Sequence, residues 1–408
     1  MELLHSKCAG LDVHKDTVVA CTRIAKDGAV EREVKTFDTA TSGLLALSEW
    51  LGEHGCTHVV MEATGIYWKP VWHVLEGDFE LVLANAAHVK NVPGRKTDVN
   101  DATWLAELLA HGLVRASFVP DEATQQMRAL LRTRKQLVRE QTSHVQRVQK
   151  VLEDANIKLS SVISNVMGTS GRTILDALVA GETNPNELLK LSGPRLKSDR
   201  QKIRESLRGM VTDHHRFLLK LHLDHIDALS KAIASIDTEV GSNLQPFRSA
   251  VALLTSIPGV SELSAQVIVS EIGIDMKRFP TAGHLISWAG LCPRNDESAG
   301  KRRSNRIRKG APWLKTSLVQ CGWGAARSKN TYLRSQYYRL KARRGGKKAA
   351  VAVAASILTS AYHMLRDGTL YSDLGPGYLD ALAGERRIKG LVKRLNDLGC
   401  EVHLTRTA

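Results

Sequence analysis

The sequence predicts an α/β domain followed by a longer, mainly helical region, the class α/β + α. Apolar runs of strand length alternate with helix-like segments over roughly the first 110 residues. Two later stretches, 121–155 and 217–240, carry apolar residues at steps of three and four, which is a helical periodicity. At 408 residues, the chain is long enough for two or three domains with their own cores.

The first region contains several predicted strands and two predicted helices. Residues 8–36 predict a β-hairpin with a second turn in "KDGAV", and residues 43–54 place leucines on one face of a helix. "HVVMEATG" and "FELVLANAAHV" each predict a strand, and the helix-like run "TWLAELLAHG" follows "KTDVNDA". Because strands and helices alternate, we expect part of the sheet to be parallel.

The two periodic stretches predict a pair of long helices. A segment rich in Gly, Asn and Pro, "GETNPNELLKLSGP", lies between them. Such a pair forms either a helical hairpin within one chain or a coiled-coil arm between two chains. The periodicity leaves both interpretations open.

Residues 253–273 predict a helix, a tight turn and a second helix. Pro258 and Gly259 provide the turn, and Ala265 allows the helices to pack closely. The segment resembles a helix-hairpin-helix motif, whose turn amides can bind a DNA phosphate. An ordinary αα-hairpin has the same pattern.

These patterns divide the chain into four predicted segments. The first is the α/β domain, the second is a helical or coiled-coil region, the third is a basic and mainly helical domain, and the last is a peripheral tail. Their predicted bounds are 1–120, 121–245, 246–375 and 376–408.

The charge of the chain is concentrated in one segment. The formal net charge is +15, and the segment from Ser298 to Arg366 contains 17 Lys or Arg and no Asp or Glu, so the rest sums to −2 (15 − 17). Such a segment indicates contact with nucleic acid rather than a merely solvated basic face. Aromatic residues within it either stack on bases or belong to the core, and they are Trp313, Trp323, Tyr332, Tyr337 and Tyr338.

Three features predict a cytoplasmic protein. The six cysteines lack zinc-site spacing, which indicates reduced thiols. The N-terminus has no basic start followed by an apolar run, so no signal peptide is predicted. The uncharged stretch 349–365 has only 17 residues and includes Ser, Thr and His, which favours a buried helix over a membrane span.

Four acidic residues are candidates for a metal site. Asp12 lies on the opening strand, Glu62 ends a later strand, and Asp98 and Asp101 stand one helical turn apart at the start of a helix. Acids that converge in a fold repel one another unless a cation neutralises them. Mg²⁺ prefers such oxygen ligands, and two ions about 4 Å apart promote phosphoryl transfer. We therefore predict a two-metal site, although each acid alone could be a turn or cap residue.

The opening segment, "GLDVHKDT", is also similar to the first hairpin of actin-like sugar kinases. Those enzymes hold ATP with Gly- and Thr-rich loops. Here His14 and Lys15 occupy the turn, and no later Gly-rich loop follows a strand as required. The kinase interpretation is therefore disfavoured.

Six motifs together resemble the DEDD-type transposases of the insertion sequence 110 family. They are "GLDVHK", "VVMEATGIYW", "GRKTDVNDA", "SIPGV", "SWAGLCPRNDESAGKRRSNRIRKG" and "YHMLRDG", in family order between residues 8 and 375. The resemblance implies an RNase H-like first domain of the Holliday-junction-resolvase type. It also implies that Asp12, Glu62, Asp98 and Asp101 bind Mg²⁺, as two ions.

The resemblance further implies a second catalytic domain, whose signature serine corresponds to Ser298. Serine is a poor nucleophile unless it is activated and held near its target. Six cations follow within residues 301–309, and the small pair Ala299–Gly300 would let a phosphate approach the backbone. Many relatives have glycine directly after the serine, where this chain has Ala299. Ser304 is close enough to leave the assignment between the two serines open.

The implied function is a DNA recombinase that excises and inserts an insertion sequence. The resemblance also implies a structured noncoding guide RNA and a homo-oligomer, a dimer or tetramer, joined by the helical arms. The implied location is the nucleoid of a prokaryotic cell, with no membrane. One alternative is a Holliday-junction-type, metal-dependent endonuclease without serine chemistry, and another is a non-catalytic nucleic-acid scaffold. The sequence leaves the target site, the guide RNA and the order of strand exchange open.

Overall fold

The computed structural model of the chain describes residues 3–26, 28–63, 65–85, 89, 101–193, 198–293, 296–298, 300–304, 306–308, 310–399 and 401–402. The chain divides into two compact units, Met1–Val119 and Pro120–Ala408. The first contains a five-stranded sheet, and the described part of the second is mostly helical. The predicted α/β region followed by a mainly helical region is therefore confirmed.

The sheet of the first unit has the strand order β3–β2–β1–β4–β5. The first three strands are antiparallel, and the last two continue the sheet in parallel with β1, as the alternation of strands and helices predicted. The strands are β1 (Lys7–Val13), β2 (Thr17–Lys26), β3 (Ala29–Asp38), β4 (His58–Glu62) and β5 (Glu80–Ala84).

The last strand is shorter than the sequence predicted. The run "FELVLANAAHV" forms a strand only as far as Ala84. The backbone N–H of Val89 then donates to the carbonyl oxygen of Asn85, which is the hydrogen bond of a helical turn. An apolar run does not distinguish a strand from the helical turn that follows it, so the end of this strand was wrong in the prediction.

Different helices cover the two faces of the sheet. The core with Leu11 and Met61 packs against α1 and α2, whereas Cys8 and Val60 pack against α3. This division follows from the alternation of side chains along a strand. The helices are α1 (Thr41–Glu53), α2 (Trp68–Leu75) and α3 (Asp101–Ala110).

Two long helices open the second unit and run antiparallel to each other. Arg134 and Gln141 of the first donate to Asp237 and Ser230 of the second, so the partner numbers fall as the residue numbers rise. The two long helices therefore form a helical hairpin within the chain, and a coiled-coil arm between two chains stays a prediction. The long helices are α4 (Glu122–Asp154) and α8 (Asp213–Ser242), and the shorter ones between them are α5 (Thr169–Val179), α6 (Pro185–Lys190) and α7 (Arg200–Ser206).

The rest of the second unit contains helices and one small hairpin. The predicted helix–turn–helix is confirmed as α9 and α10. Gly259 in its turn has φ +88°, and a Cβ there would lie 2.3 Å from the backbone nitrogen of Ala325. This turn therefore packs on α12, while its predicted binding of a phosphate stays a prediction. The elements are α9 (Arg248–Thr255), α10 (Glu262–Ile272), α11 (Ala282–Trp288), β6 (Asp296–Ser298), β7 (Lys301–Ser304), α12 (Pro312–Ala325), α13 (Tyr332–Arg344), α14 (Gly346–Asp367) and α15 (Tyr378–Asp397).

Helix α14 contains the uncharged stretch 349–365. Within the described chain it is the one helix long and apolar enough to cross a membrane, and half of its apolar window is buried inside the protein. A Cβ at Gly322 of α12 would lie 2.6 Å from the carbonyl oxygen of Ala350, which shows how closely the two helices pack. This close packing on α12 supports the predicted buried helix.

Candidate active site

Asp12 and Glu62 lie at the same end of two adjacent parallel strands. Leu11 of β1 is paired with Met61 of β4, so the next residues are Asp12 and Glu62. The carboxyl ends of these strands meet at one edge of the sheet. The parallel register thus brings two of the four predicted acids together.

The two acids also share a face of the sheet. Cys8 and Val60 belong to the core under α3, and Asp12 and Glu62 follow them by four and two residues. Because alternate residues of a strand share a face, both acids stand on the α3 side.

Helix α3 lies directly on β1 and runs antiparallel to it. At Gly10 a Cβ would be 2.2 Å from the carbonyl oxygen of Ala102, so only glycine permits this approach. At the other end of α3, the carbonyl oxygen of Ala110 accepts a hydrogen bond from the backbone N–H of Leu4. The helix therefore begins near the carboxyl end of β1.

This orientation brings the start of α3 towards Asp12. Asp101 is the first residue of α3 and is exposed. A Cβ at Gly10 would also lie 2.5 Å from the backbone nitrogen of Ala106, so Gly10 is level with the middle of the turn 102–106. Two residues of strand and four residues of helix both cover about 6 Å, so the start of α3 is near the level of Asp12. Asp98, the fourth predicted acid, lies outside the described residues.

The donor set fits a hard divalent cation. Asp12, Glu62 and Asp101 all carry carboxylate oxygens, the ligand type that Mg²⁺ prefers. Within the described chain, however, no three His, Cys, Asp or Glu side chains are grouped closely enough to hold a metal ion. The described acids would therefore need movement or a further ligand, and Asp98 is the predicted one.

A histidine contacts one of the acids. His14 Nε2 lies 3.2 Å from Asp12 Oδ2, and the His14 side chain is largely exposed. The sequence placed His14 in the turn beside Asp12, where contact with the scissile phosphate and a solvated turn are both open. In the structure it engages one carboxylate oxygen, so a protonated His14 would compete with a metal for that oxygen.

An ion-pair network that the sequence did not reveal holds α3 on the sheet. Glu107 of α3 accepts hydrogen bonds from Arg23 of β2 and Arg32 of β3, each 2.8 Å long at the closest, and His111 lies 3.1 Å away. The hydrogen bond from Arg23 is the main reason that the pKa of Glu107 falls to about 2. Because α3 begins at Asp101, this network positions a candidate metal ligand.

Glu107→Gln should weaken the attachment of α3 to the sheet, by an amount that depends on pH. A lowered folded-state pKa stabilises the protein fully above the unfolded pKa near 4.5, and the contribution is lost as the pH falls towards 2. At pH 7 we expect a loss of roughly 2 kcal/mol, since the buried Arg23 keeps only a neutral partner. Hydrogen exchange in β1 and β2 should show faster opening of the variant at pH 7 and a smaller difference at pH 3. A difference that is independent of pH would contradict the ionic role.

Ser298 lies at the end of a small β-hairpin in the second unit. It is the last residue of β6 and pairs with Lys301, the first residue of β7. Gly300 between them has φ +74°, which a tight hairpin turn requires. The side chain of Ser298 lies outside the part of the chain that the structure describes. The turn geometry therefore favours glycine at position 300, in addition to the close approach of a phosphate that the sequence suggested.

The alternative serine has a local hydrogen bond. Ser304 Oγ accepts from the backbone N–H of Arg306 at 3.2 Å. Such bonds are common where serine stabilises a turn. The Ser304 hydroxyl therefore has a structural role that does not depend on catalysis.

The base of the hairpin is fixed by a close backbone crossing. A Cβ at Gly310 would lie 2.5 Å from the Cα of Gly290, and Pro293 forms a bridge with Ile307. The hairpin therefore projects from a narrow stem, with Ser298 near its tip.

The predicted aromatic residues of the basic segment divide into two groups. Tyr337 is buried and packs near Trp323, so it belongs to the core. Tyr338 is about half exposed, and the cationic groups of Arg334 and Lys341 lie 5.5 and 5.6 Å from its ring centre. Cations beside an exposed aromatic ring suit contact with nucleic acid.

Two family models match the chain, and both describe transposases. The DEDD transposase model of IS110 elements covers residues 9–157, and the model of the IS116/IS110/IS902 transposase family covers residues 251–339. The first range includes Asp12, Glu62 and Asp101, and the second includes Ser298.

Curated relatives agree with these matches. The chain is 26% identical to an uncharacterized protein of insertion element IS110 from Streptomyces coelicolor, over 71% of this chain and 76% of the relative. Two Sinorhizobium fredii proteins, both named as inferred transposases, are also similar. The y4qE protein is 25% identical over 70% of this chain and 63% of its own length, and y4pF/y4sB is 24% identical over 83% and 76%. With two family models matched in order along one chain, the protein is a DNA-processing enzyme that belongs to the IS110 family of transposases.

Proposed function

We propose that this transposase excises and inserts its element with two half-sites. One is a magnesium site formed by Asp12, Glu62, Asp98 and Asp101, and the other is the nucleophile Ser298. The register of β1 and β4 carries the proposal, because it sets Asp12 beside Glu62 at the end of the sheet where α3 begins. We also infer an RNase H-like fold for the first unit, which the order of three antiparallel and two parallel strands supports.

In the proposed reaction, Ser298 Oγ forms a bond to the scissile phosphorus as the bond from phosphorus to one deoxyribose oxygen breaks. The hydroxyl proton leaves to solvent, and the released oxygen takes up a proton. Lys301, which pairs with Ser298, is exposed and can neutralise the phosphate. Arg306 and Arg308 are exposed in the stem of the hairpin. Mg²⁺, proposed as two ions, would supply Lewis acidity at phosphate oxygens. The serine ester conserves the phosphodiester energy until a new DNA hydroxyl displaces it.

Further parts of the proposal concern partners and organisation. We propose a structured noncoding RNA as the guide, a dimer or tetramer as the active form, and a nucleoid-associated location. The many exposed cations of the basic segment support a nucleic-acid partner. The four-part division of the chain at 120, 245 and 375 is our proposal for its domains.

The basic segment should make nucleic-acid binding strongly salt-dependent. Changing Arg302, Arg303 and Arg306 together to Gln should flatten the log–log slope of affinity against salt by about two to three units. A matched triple variant at three exposed lysines of the helical region, Lys150, Lys202 and Lys231, should change the slope less. Equal slopes for wild type and the arginine variant would mean that these arginines are only solvated.

A second candidate function is a metal-dependent junction endonuclease without serine chemistry. The observation that favours it is the location of the described acids in the first unit, whereas Ser298 belongs to the second. A plasmid that carries the element with its flanking DNA separates the two. The proposed transposase should yield sealed excision products that require both Asp12 and Ser298. Cleavage that requires Asp12 but not Ser298 would establish the endonuclease.

A further inference from the structure

A cleft lies in the second unit between α4, α10 and α12, and its lining includes none of the predicted catalytic residues. Its volume is about 320 Å³, at the lower end of the range for small-molecule sites, about 300–1,000 Å³. Apolar side chains from α4 and α10 line it, and Trp313 of α12 forms part of its wall. The apolar residues are Leu131, Val138, Leu263 and Val267.

Three cations on one face of α4 lie within 6 Å of the ring centre of Trp313. The charged groups of Arg132, Lys135 and Arg139 lie 5.7, 5.6 and 5.2 Å from its ring centre. Their spacing of three and four residues places them on one face of the helix. The cleft therefore combines an aromatic ring with a row of positive charge.

Only part of this charge is neutralised. Arg132 forms two 2.8 Å hydrogen bonds with the buried carboxylate of Glu271. Lys135 and Arg139 form no ion pair with any residue that the structure describes. Burial, and then repulsion from Arg139, lowers the pKa of Lys135. An anionic ligand would relieve this imbalance.

Contacts within the protein already hold the walls of the cleft in place, so a ligand would not have to order them. Arg128 donates to the carbonyl oxygens of Ser270 and Glu271 at 2.9 and 2.8 Å, at the end of α10. The Arg132–Glu271 pair adds a second link between α4 and α10. A preformed site binds with a smaller entropic cost.

The cleft is also connected to the root of the serine hairpin. Trp313 follows Gly310, where the stem crosses Gly290, by only three residues. Lys315 Nζ donates to the carbonyl oxygen of Arg308 in the stem at 2.9 Å. A strand held at Trp313 would thus be held beside the base of this hairpin.

We propose that the cleft binds one unpaired nucleotide of a single-stranded nucleic acid, with its base against Trp313 and its phosphate on Lys135 and Arg139. Aromatic rings beside cations are the combination by which proteins bind single strands. A cavity of this volume has no room for a duplex. The inference adds a binding site to the DNA-processing activity and does not require Ser298 chemistry.

Labelled oligonucleotides test the base contact. The probes are a thymidine DNA strand, a uridine RNA strand and an abasic DNA strand of equal length. Trp313→Ala should weaken binding of the DNA or the RNA strand by about fivefold or more, but should change abasic binding little. Trp313→Phe should retain most of the affinity. Of the DNA and RNA probes, the one whose affinity falls more in Trp313→Ala identifies the kind of nucleic acid that the cleft binds.

A charge variant tests the phosphate contact. Lys135→Gln with Arg139→Gln should weaken binding of all three probes and flatten the salt slope by about one to two units. The matched control, Arg147→Gln with Lys150→Gln, removes two cations from the same helix outside the cleft and should have a smaller effect.

Three results would overturn the site. These are unchanged affinity in Trp313→Ala, an equal loss on the abasic strand, and equal effects of the two charge variants. The Ser298→Ala protein should bind all probes like wild type. A failure of the serine mechanism would therefore leave these binding results intact, and a failure here would leave the serine chemistry untouched.

Discussion

The Ser298→Ala protein is expected to bind element DNA with wild-type affinity and to form no covalent adduct. A recombinase must conserve phosphodiester energy between cutting and rejoining, and a serine ester does so. Removing an attacking nucleophile commonly costs several orders of magnitude, so recombination should fall by at least about a thousandfold.

Nicked or suicide DNA provides the measurement. Wild-type protein should give a protein–DNA adduct that survives denaturation, and mass spectrometry should place it on Ser298. The position of Ser298 beside the hairpin turn, paired with the exposed Lys301, suits attack on a phosphate that approaches the tip.

Ser304→Ala is the matched control for this experiment. Ser304 lies in the same hairpin, but its hydroxyl accepts a hydrogen bond from Arg306. The control protein should form the adduct at a similar rate after any loss of stability is taken into account. An adduct on Ser304 would correct the assignment, and normal recombination by Ser298→Ala would refute the covalent mechanism.

The central strands of the first unit could be predicted because they are short apolar runs, and their middle residues are buried on both faces of the sheet. Leu11 and Met61 face one core and Cys8 and Val60 the other, so the sequence pattern directly reflects the sheet. The antiparallel packing of the long helices could not be predicted. A helical seam is the same whether its partner belongs to the same chain or to another.

The sequence could assign the acids of the site to strands and to the start of a helix. Their convergence in the fold could not be derived from their spacing along the sequence. It depends on the β1–β4 register and on Gly10, whose missing side chain admits α3. Glu107 and Arg23 fix the same helix, yet they are 84 residues apart and form no sequence motif. Likewise, Lys135 and Arg139 lie far along the chain from the basic segment 298–366 and meet Trp313 only in the folded chain.

Loss of any one acid is the second large effect that we expect. Asp12→Ala, Glu62→Ala, Asp98→Ala and Asp101→Ala should each lower strand cleavage by at least about a hundredfold, because developing charge on the phosphate loses its metal. Excess chelator should abolish cleavage by the wild type, and added Mg²⁺ should restore it. Glu31→Ala, an exposed acid on β3, is the control and should cleave normally.

A change of ligand type separates metal binding from a structural role for Asp101. Asp101 is exposed at the start of α3, so Asp101→Cys should not disturb the core. A thiolate is a poor ligand for Mg²⁺ and a better one for softer ions, so Mn²⁺ should restore more of the variant's cleavage than Mg²⁺ does. For the Glu31→Ala control, the ratio of activities in the two metals should equal that of the wild type. If Asp101→Cys showed the wild-type ratio, or if Asp101→Ala cleaved in excess chelator, Asp101 would not be a metal ligand.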